Sequence, residues 1–164
     1  MSADEEVPAD DPATRLRDVV ERVVDELELE GEVEVTESDE ELRATVEGED
    51  LGLLIGKHGT TIDALQHLAM RVALRGDTDD RRRVVVDAAG YRARRETALQ
   101  READRAVADA LRYGRPVELE PMRALERKVV HTYLNERTDI ETYSEGDEPD
   151  RRLVVAPLRP VPGP

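Results

Sequence analysis

Gly56-Lys57-His58-Gly59 lies between the apolar segment Leu53-Leu54-Ile55 and the helix-opening run Thr60-Thr61-Ile62. Two glycines flanking a turn let a ligand approach the backbone without meeting a Cβ atom, and a helix that starts at once presents unpaired amides at the same spot. Lys57 adds a cation inside the turn. Close approach, donor amides and positive charge together suit a phosphate on a polynucleotide backbone. A bare Gly-x-x-Gly is also a common helix–helix turn, so the flanking Ile55 and Thr60 carry much of the weight. A nucleotide-hydrolysing P-loop needs Ser or Thr after its Gly-Lys pair; His58 stands there instead.

The second constellation is Arg127-Lys128-Val129-Val130-His131. Arg127 and His131 are four residues apart, so a helix puts them on one face. With Met122 at zero and about 100° per residue, Leu125, Val129 and Tyr133 fall within about 60° of it. Arg127 and His131 then fall on the opposite side, which predicts that both reach solvent or a ligand. An ordinary solvated pair gives the same spacing. Phosphodiester cleavage, with His131 as base and Arg127 on the developing charge, is the catalytic alternative. Neither a second histidine near it in sequence nor a carboxylate cluster for metal ions supports a nuclease.

Composition narrows the field. The 164 residues contain no Cys, Phe or Trp, so disulfides, thiolate chemistry and Cys-containing zinc sites are out. No metal or cofactor site is expected. No apolar run approaches the roughly 20 residues that span a bilayer, and the acidic N-terminus lacks a signal peptide's apolar core. A cytoplasmic protein without membrane insertion is the expectation. The net charge of −15 is unevenly placed: residues 1–50 hold 20 acids against 4 arginines, and residues 51–164 hold 19 against 20 basic residues. Repulsion toward a polyanion is therefore concentrated ahead of the Gly-x-x-Gly turn, and salt screens it within roughly 8–10 Å. Arginine outnumbers lysine 22 to 2, which favours bidentate phosphate contact. GC-rich codons give the same bias.

The elements that must position these residues emerge from periodicity. Residues 1–13, acidic with Pro8 and Pro12, are predicted to be a disordered arm. Leu16, Val19, Val20, Val23, Val24 and Leu27 predict a helix capped by Thr14 and stopped by Gly31. Val33 and Val35, then Leu42, Ala44 and Val46, predict two strands joined by a turn over Thr36 to Glu41. A one-turn helix leads into the glycines. The next helix, capped by Thr60 or Thr61, buries Ile62, Leu65, Ala69, Val72 and Ala73 and ends by Gly76. Arg83 to Ala88 predicts a third strand. Beyond Ala89-Gly90, Tyr91 to Leu111 predicts a long helix closed by Tyr113-Gly114-Arg115-Pro116. Pro121 suits the first turn of a helix running to about Glu136. Two further strands are predicted at Ile140–Tyr143 and Arg152–Ala156, separated by Ser144 to Pro149. The proline-rich end, residues 159–164, is expected to be a flexible tail.

From Thr14 to Ala88 the order of elements and the Ile-Gly-Lys-His-Gly core resemble a KH domain of the type II, prokaryotic arrangement, whose Gly-x-x-Gly turn clamps a sugar–phosphate backbone while a groove reads about four unpaired bases. By position, Ile55, Gly56, Lys57, His58, Gly59 and Thr60 would contact RNA, with Ile62 and Leu65 supporting the groove. Arg127 to His131, between a long helix and two strands, resembles the single-stranded nucleic-acid-binding domain known by its R-xxx-H pattern. The run Ser144-Glu145-Gly146-Asp147-Glu148-Pro149-Asp150-Arg151-Arg152 also matches the segment downstream of that motif in one bacterial family. The two modules in tandem are similar to Jag-type proteins, over about residues 14–158. That resemblance implies an α+β chain: arm 1–13, KH domain 14–89, R-xxx-H domain 90–158, tail 159–164. It implies RNA contact by Arg127, Lys128 and His131, with Arg151 and Arg152 extending the basic surface. It further implies a non-catalytic single-stranded RNA-binding protein, in post-transcriptional regulation or as an RNA chaperone linked to cell envelope growth. A small single-KH protein is the partner it points to. Many Jag proteins begin with an extra small domain and a charged linker; only an acidic arm of about thirteen residues precedes the KH unit here. An interaction adaptor, for instance at the ribosome, is the alternative.

Overall fold

The computed structural model describes residues 10–159. The chain divides after Arg92 into two compact units. Most of the predicted arm and tail lie outside the described residues.

The first unit begins with α1 (Pro12–Glu26), whose start differs from expectation. Asp11, not Thr14, is the N-cap: its carboxylate accepts the Thr14 amide at 2.9 Å, and Pro12 occupies the first turn, where its missing N–H costs nothing. That amide, foremost among its contacts, holds the Asp11 carboxyl below the usual aspartate range. Nor does Gly31 stop α1; the helix closes at Leu27, and Gly31 opens β1 (Gly31–Glu37). There a Cβ would lie 2.9 Å from the Val46 side chain, so the glycine serves strand pairing.

β1 pairs antiparallel with β2 (Glu41–Gly48), and β2 pairs parallel with β3 (Arg83–Ala88). A parallel pair needs a crossover connection. Here it is α2 (Gly52–Ile55), the glycine-flanked turn and α3 (Thr60–Ala73). The glycine-flanked turn is thus part of the segment that joins the two parallel strands. Leu42, Ala44 and Val46 alternate inward from β2 against Leu16, Val20 and Val24 of α1 and Ile62, Leu65, Ala69 and Ala73 of α3. Val72 is only half-buried. Helix α1, two strands, a short helix, α3 and a third strand give the order expected of the prokaryotic KH arrangement.

The second unit is built on α4 (Tyr91–Tyr113), whose Leu99, Ala103, Ala106, Val107 and Ala110 are buried; Leu111, expected on the same stripe, is exposed. A sheet of order β4-β6-β5 covers that stripe. Its strands are β4 (Val117–Glu118), β5 (Ile140–Glu145) and β6 (Arg152–Pro157), all antiparallel. β4 leaves no trace in the periodicity: two paired residues between Pro116 and Pro121 are too few for alternation to show. α5 (Ala124–Leu134) starts three residues after Pro121. No described helix is long and apolar enough to cross a membrane.

Candidate nucleic-acid interface

α2 ends on Gly56, whose amide donates to the Gly52 carbonyl at 2.8 Å. A single 3-10 turn, Lys57–Gly59, then reverses the chain, with Gly56, His58 and Gly59 at φ of 73°, 52° and 76°. Both glycines are required by contact as well as by φ. A Cβ on Gly56 would come within 2.3 Å of the Thr61 hydroxyl, and one on Gly59 within 2.7 Å of the Tyr91 ring. Lys57 and His58 project to solvent.

The predicted threonine cap of α3 is replaced by Gly59 in the left-handed conformation, with no side-chain capping bond. Thr60 turns its hydroxyl back to donate to the Lys57 carbonyl at 3.0 Å. Gly59 offers the first-turn amides of α3 no side-chain acceptor, and they lie beside a lysine and a histidine, as an anion site requires. Asp63 would oppose an anion there, but Arg92 donates to it at 2.7 Å. The same guanidinium bonds Gln66 at 2.9 Å and the Val86 carbonyl at 2.9 Å, tying α3 to β3. Arg92 and Tyr91 support the turn, and only tertiary structure reveals it. Ile62 and Leu65 are buried beneath the turn and Ile55 is half-buried.

In the second unit the face of α5 differs from the predicted one. Leu125 is 73% exposed and Tyr133 41% exposed, whereas Arg127 is 8% exposed. The buried side of α5 carries Glu126, Arg127, Val130 and Leu134. Met122, the assumed origin of the apolar stripe, precedes the helix, so its bearing says nothing about α5. Arg127 is instead a clamp. Its Nη1 donates to the Met122 carbonyl and its Nη2 to Glu148 Oε1, each at 2.6 Å. One guanidinium thereby fixes the segment entering α5 and the loop between β5 and β6. Glu126, beside it, accepts from Arg95 of α4 at 2.7 Å.

Arg127 forms the base of a depression of about 370 Å³, lined also by Ala124, Lys128, His131, Thr142, Tyr143, Ser144, Arg151 and Leu153. His131 is exposed at its rim, with Nδ1 against the Thr142 hydroxyl of β5. Lys128 is exposed. Arg151 donates to the Gly146 carbonyl at 2.7 Å. Arg152 does not join them: it turns to the other face and pairs with Glu118 of β4 at 3.0 Å. Leu153, the next residue of β6, lines the depression, and neighbouring strand residues tend to face opposite ways. Among the described residues no carboxylate lines this depression, in a chain of net charge −15, and Glu148 meets only Arg127 at its edge. Thr142, Tyr143 and Ser144 complete it, residues that sequence spacing from α5 did not single out.

Comparison with known proteins agrees with this division. A family model described as KhpA/KhpB, KH domain, matches residues 13–87, and a model of the R-xxx-H domain matches residues 97–157. The RNA-binding protein KhpB of Bacillus subtilis (strain 168) is 32% identical over 151 residues, which is 91% of this chain and 72% of that protein. The RNA-binding protein KhpB of Clostridium symbiosum is 36% identical over 124 residues, 76% of this chain and 55% of the relative. That of Lactiplantibacillus plantarum is 43% identical over 105 residues, 64% of this chain and 32% of the relative. The chain thus spans about half the length of the Clostridium protein and a third of the Lactiplantibacillus one. With both domain models met in order, and nearly three quarters of the Bacillus protein covered at this identity, the chain belongs to the KhpB family, a type II KH domain followed by an R-xxx-H domain.

Proposed function

We propose that this protein binds single-stranded RNA without catalysis, through two separate contacts. In the first, Gly56 and Gly59 let the backbone reach the α3 amides, and Lys57 and His58 supply charge and hydrogen bonds. In the second, Lys128, His131 and Arg151 hold phosphate or base edges in a depression that Arg127 shapes from below. The observation that carries this reading is the basic lining of that depression, free of carboxylates among the described residues, in an acidic chain. The relatives are RNA-binding proteins by name, which supports it. Two weak sites on one chain raise overall affinity through effective concentration. Post-transcriptional regulation or RNA chaperoning in the cytoplasm, tied to envelope growth and assisted by a small single-KH partner, is the cellular role that fits such a protein.

Filter binding of labelled single-stranded RNA tests the reading. Lys57→Asp with His58→Asp in one variant, and Lys128→Asp in another, each weaken binding strongly while the fold is kept, because all three side chains are exposed. Combining them abolishes it. Unchanged affinity in the combined variant would remove both sites from the function.

A second reading has one observation in its favour. Glu37, Asp39, Glu40, Asp79 and Asp80 outnumber Arg81 and Arg82 in one cleft of the first unit, a surface suited to a basic protein such as a ribosomal one. Co-sedimentation with ribosomes after nuclease treatment distinguishes an adaptor from an RNA binder.

A further inference from the structure

Outside both sites, α4 carries a line of arginines. At about 100° per residue, Arg94, Arg101, Arg105 and Arg112 fall within about 20° of a single bearing along the helix. All four are exposed. From Arg101 to Arg112 the line runs about 17 Å at the helical rise of about 1.5 Å per residue. Many arginines elsewhere sit against carboxylates, as Arg82 does with Asp80, Arg95 with Glu126 and Arg137 with Asp139. Among the described residues, Arg101, Arg105 and Arg112 have no such partner. The acids nearest in bearing are Asp109, about 60° to one side, and Glu102 and Asp104, about 80° to either side. Asp104 accepts the Tyr133 hydroxyl at 3.1 Å.

The line ends at one aromatic ring held between two arginines. Tyr113 is 57% exposed, and the Arg112 and Arg115 guanidinium carbons lie 5.4 and 5.7 Å from its ring centroid. Gly114, at φ 63°, turns the chain after the helix so that Arg115 returns to the ring. A solvent-facing tyrosine flanked by two cations is a surface on which an unpaired base stacks. Arg101, Arg105 and Arg112, in a row along one helix and without a direct carboxylate bond, match a linear polyanion. The apolar stripe of α4 is buried in the core, so the helix has no apolar face left to enter a bilayer.

We propose that this arginine line, with Tyr113 and Arg115 at its end, is a third contact for single-stranded RNA. Arg101, Arg105 and Arg112 hold phosphates, and the Tyr113 cluster stacks one base. The inference rests on the RNA-binding function proposed above and adds a track that neither the glycine turn nor α5 supplies.

Its test is the salt dependence of binding to a fluorescein-labelled oligouridylate of about twenty nucleotides, at about 50 to 300 mM salt, for the full chain. Each phosphate contact to a single strand contributes a slope of about 0.7, so a variant carrying Arg101→Gln, Arg105→Gln and Arg112→Gln loses about 2 from the slope. The corresponding lysine variant restores it. Tyr113→Ala lowers affinity several-fold at an unchanged slope. A glutamine variant with the wild-type slope, in a protein that still binds RNA, overturns this proposal alone. Failure of the wild type to bind the oligonucleotide overturns it together with the reading beneath it. Loss of binding to phosphatidylserine vesicles with an intact RNA slope would assign the line to a membrane surface and overturn it too. Circular dichroism confirms that α4 persists, as exposed glutamines allow.

Discussion

Replacing Arg127 with alanine separates a residue that shapes the depression beside α5 from one that touches RNA. The side chain makes two bonds at 2.6 Å, one to the Met122 carbonyl and one to Glu148. A hydrogen bond from a charged donor contributes about 1.5–3 kcal/mol net. The bond to Glu148 belongs at or below the low end, because that carboxylate is 57% exposed and rehydrates when its partner leaves. Met122 is 5% exposed, so its carbonyl loses more. Together the variant costs about 2–3 kcal/mol, which in a unit this small lowers the melting midpoint by roughly 10–20 °C. Tyrosine fluorescence of the full chain reads it, since Tyr113, Tyr133 and Tyr143 lie in the second unit and Tyr91 in the first. RNA affinity falls in the same variant because the β5–β6 loop and Arg151 lose their anchor. Lys128→Ala is the contrast: it weakens RNA binding but shifts stability by less than about 0.5 kcal/mol, as exposed substitutions do. An Arg127→Ala protein that melts like the wild type while failing to bind RNA would sink the clamp and make Arg127 a direct contact.

Gly59→Ala should destabilise the first unit by about 1–2 kcal/mol from its left-handed backbone alone, with more from overlap with Tyr91. Adding Tyr91→Ala to it recovers the overlap part only, and urea titration of the single and double variants measures that coupling. Glu41 is held below the usual glutamate range chiefly by Arg83 and then by Arg43. Its stabilising effect is therefore complete above the ordinary glutamate pKa and lost as pH falls through the depressed one. Glu41→Gln should melt below the wild type at neutral pH, and the gap should close in acid; a gap constant from about pH 7 to 3 would rule out the pairing. His131→Ala should leave stability nearly unchanged while lowering RNA affinity, read by thermal melting and filter binding side by side.

The features legible in the sequence come from residue types with few structural options. Two glycines around Lys57-His58, then a hydroxyl-rich helix start, admit few backbones, and the turn lies where expected. Leu42, Ala44 and Val46 alternate because one face of β2 is buried, so the strand and its inward face are both legible. The cap of α1 is misplaced by three residues because Asp11-Pro12 is as good a helix start as Thr14. The face of α5 is lost for a deeper reason. A buried arginine satisfied by a carbonyl and a glutamate looks like a surface charge in sequence, and Leu125 looks like core. Only the partners, Met122 and Glu148, five and twenty-one residues away, decide which is inside. Arg151 and Arg152 read as one basic pair because the preceding polar loop blurs the strand boundary that sends them to opposite faces. The supports of the KH turn, Tyr91 and Arg92, come from the next helix and carry no local signal.

Whether two separate places on this chain grip unpaired RNA is decided by titrating isotope-labelled full-length protein with a short oligouridylate and following the amide chemical shifts. Graded shifts are expected at Gly56 to Thr60 and, independently, at Lys128, His131 and Thr142. Resonances that stay fixed at both places under saturating oligonucleotide would show that neither binds it.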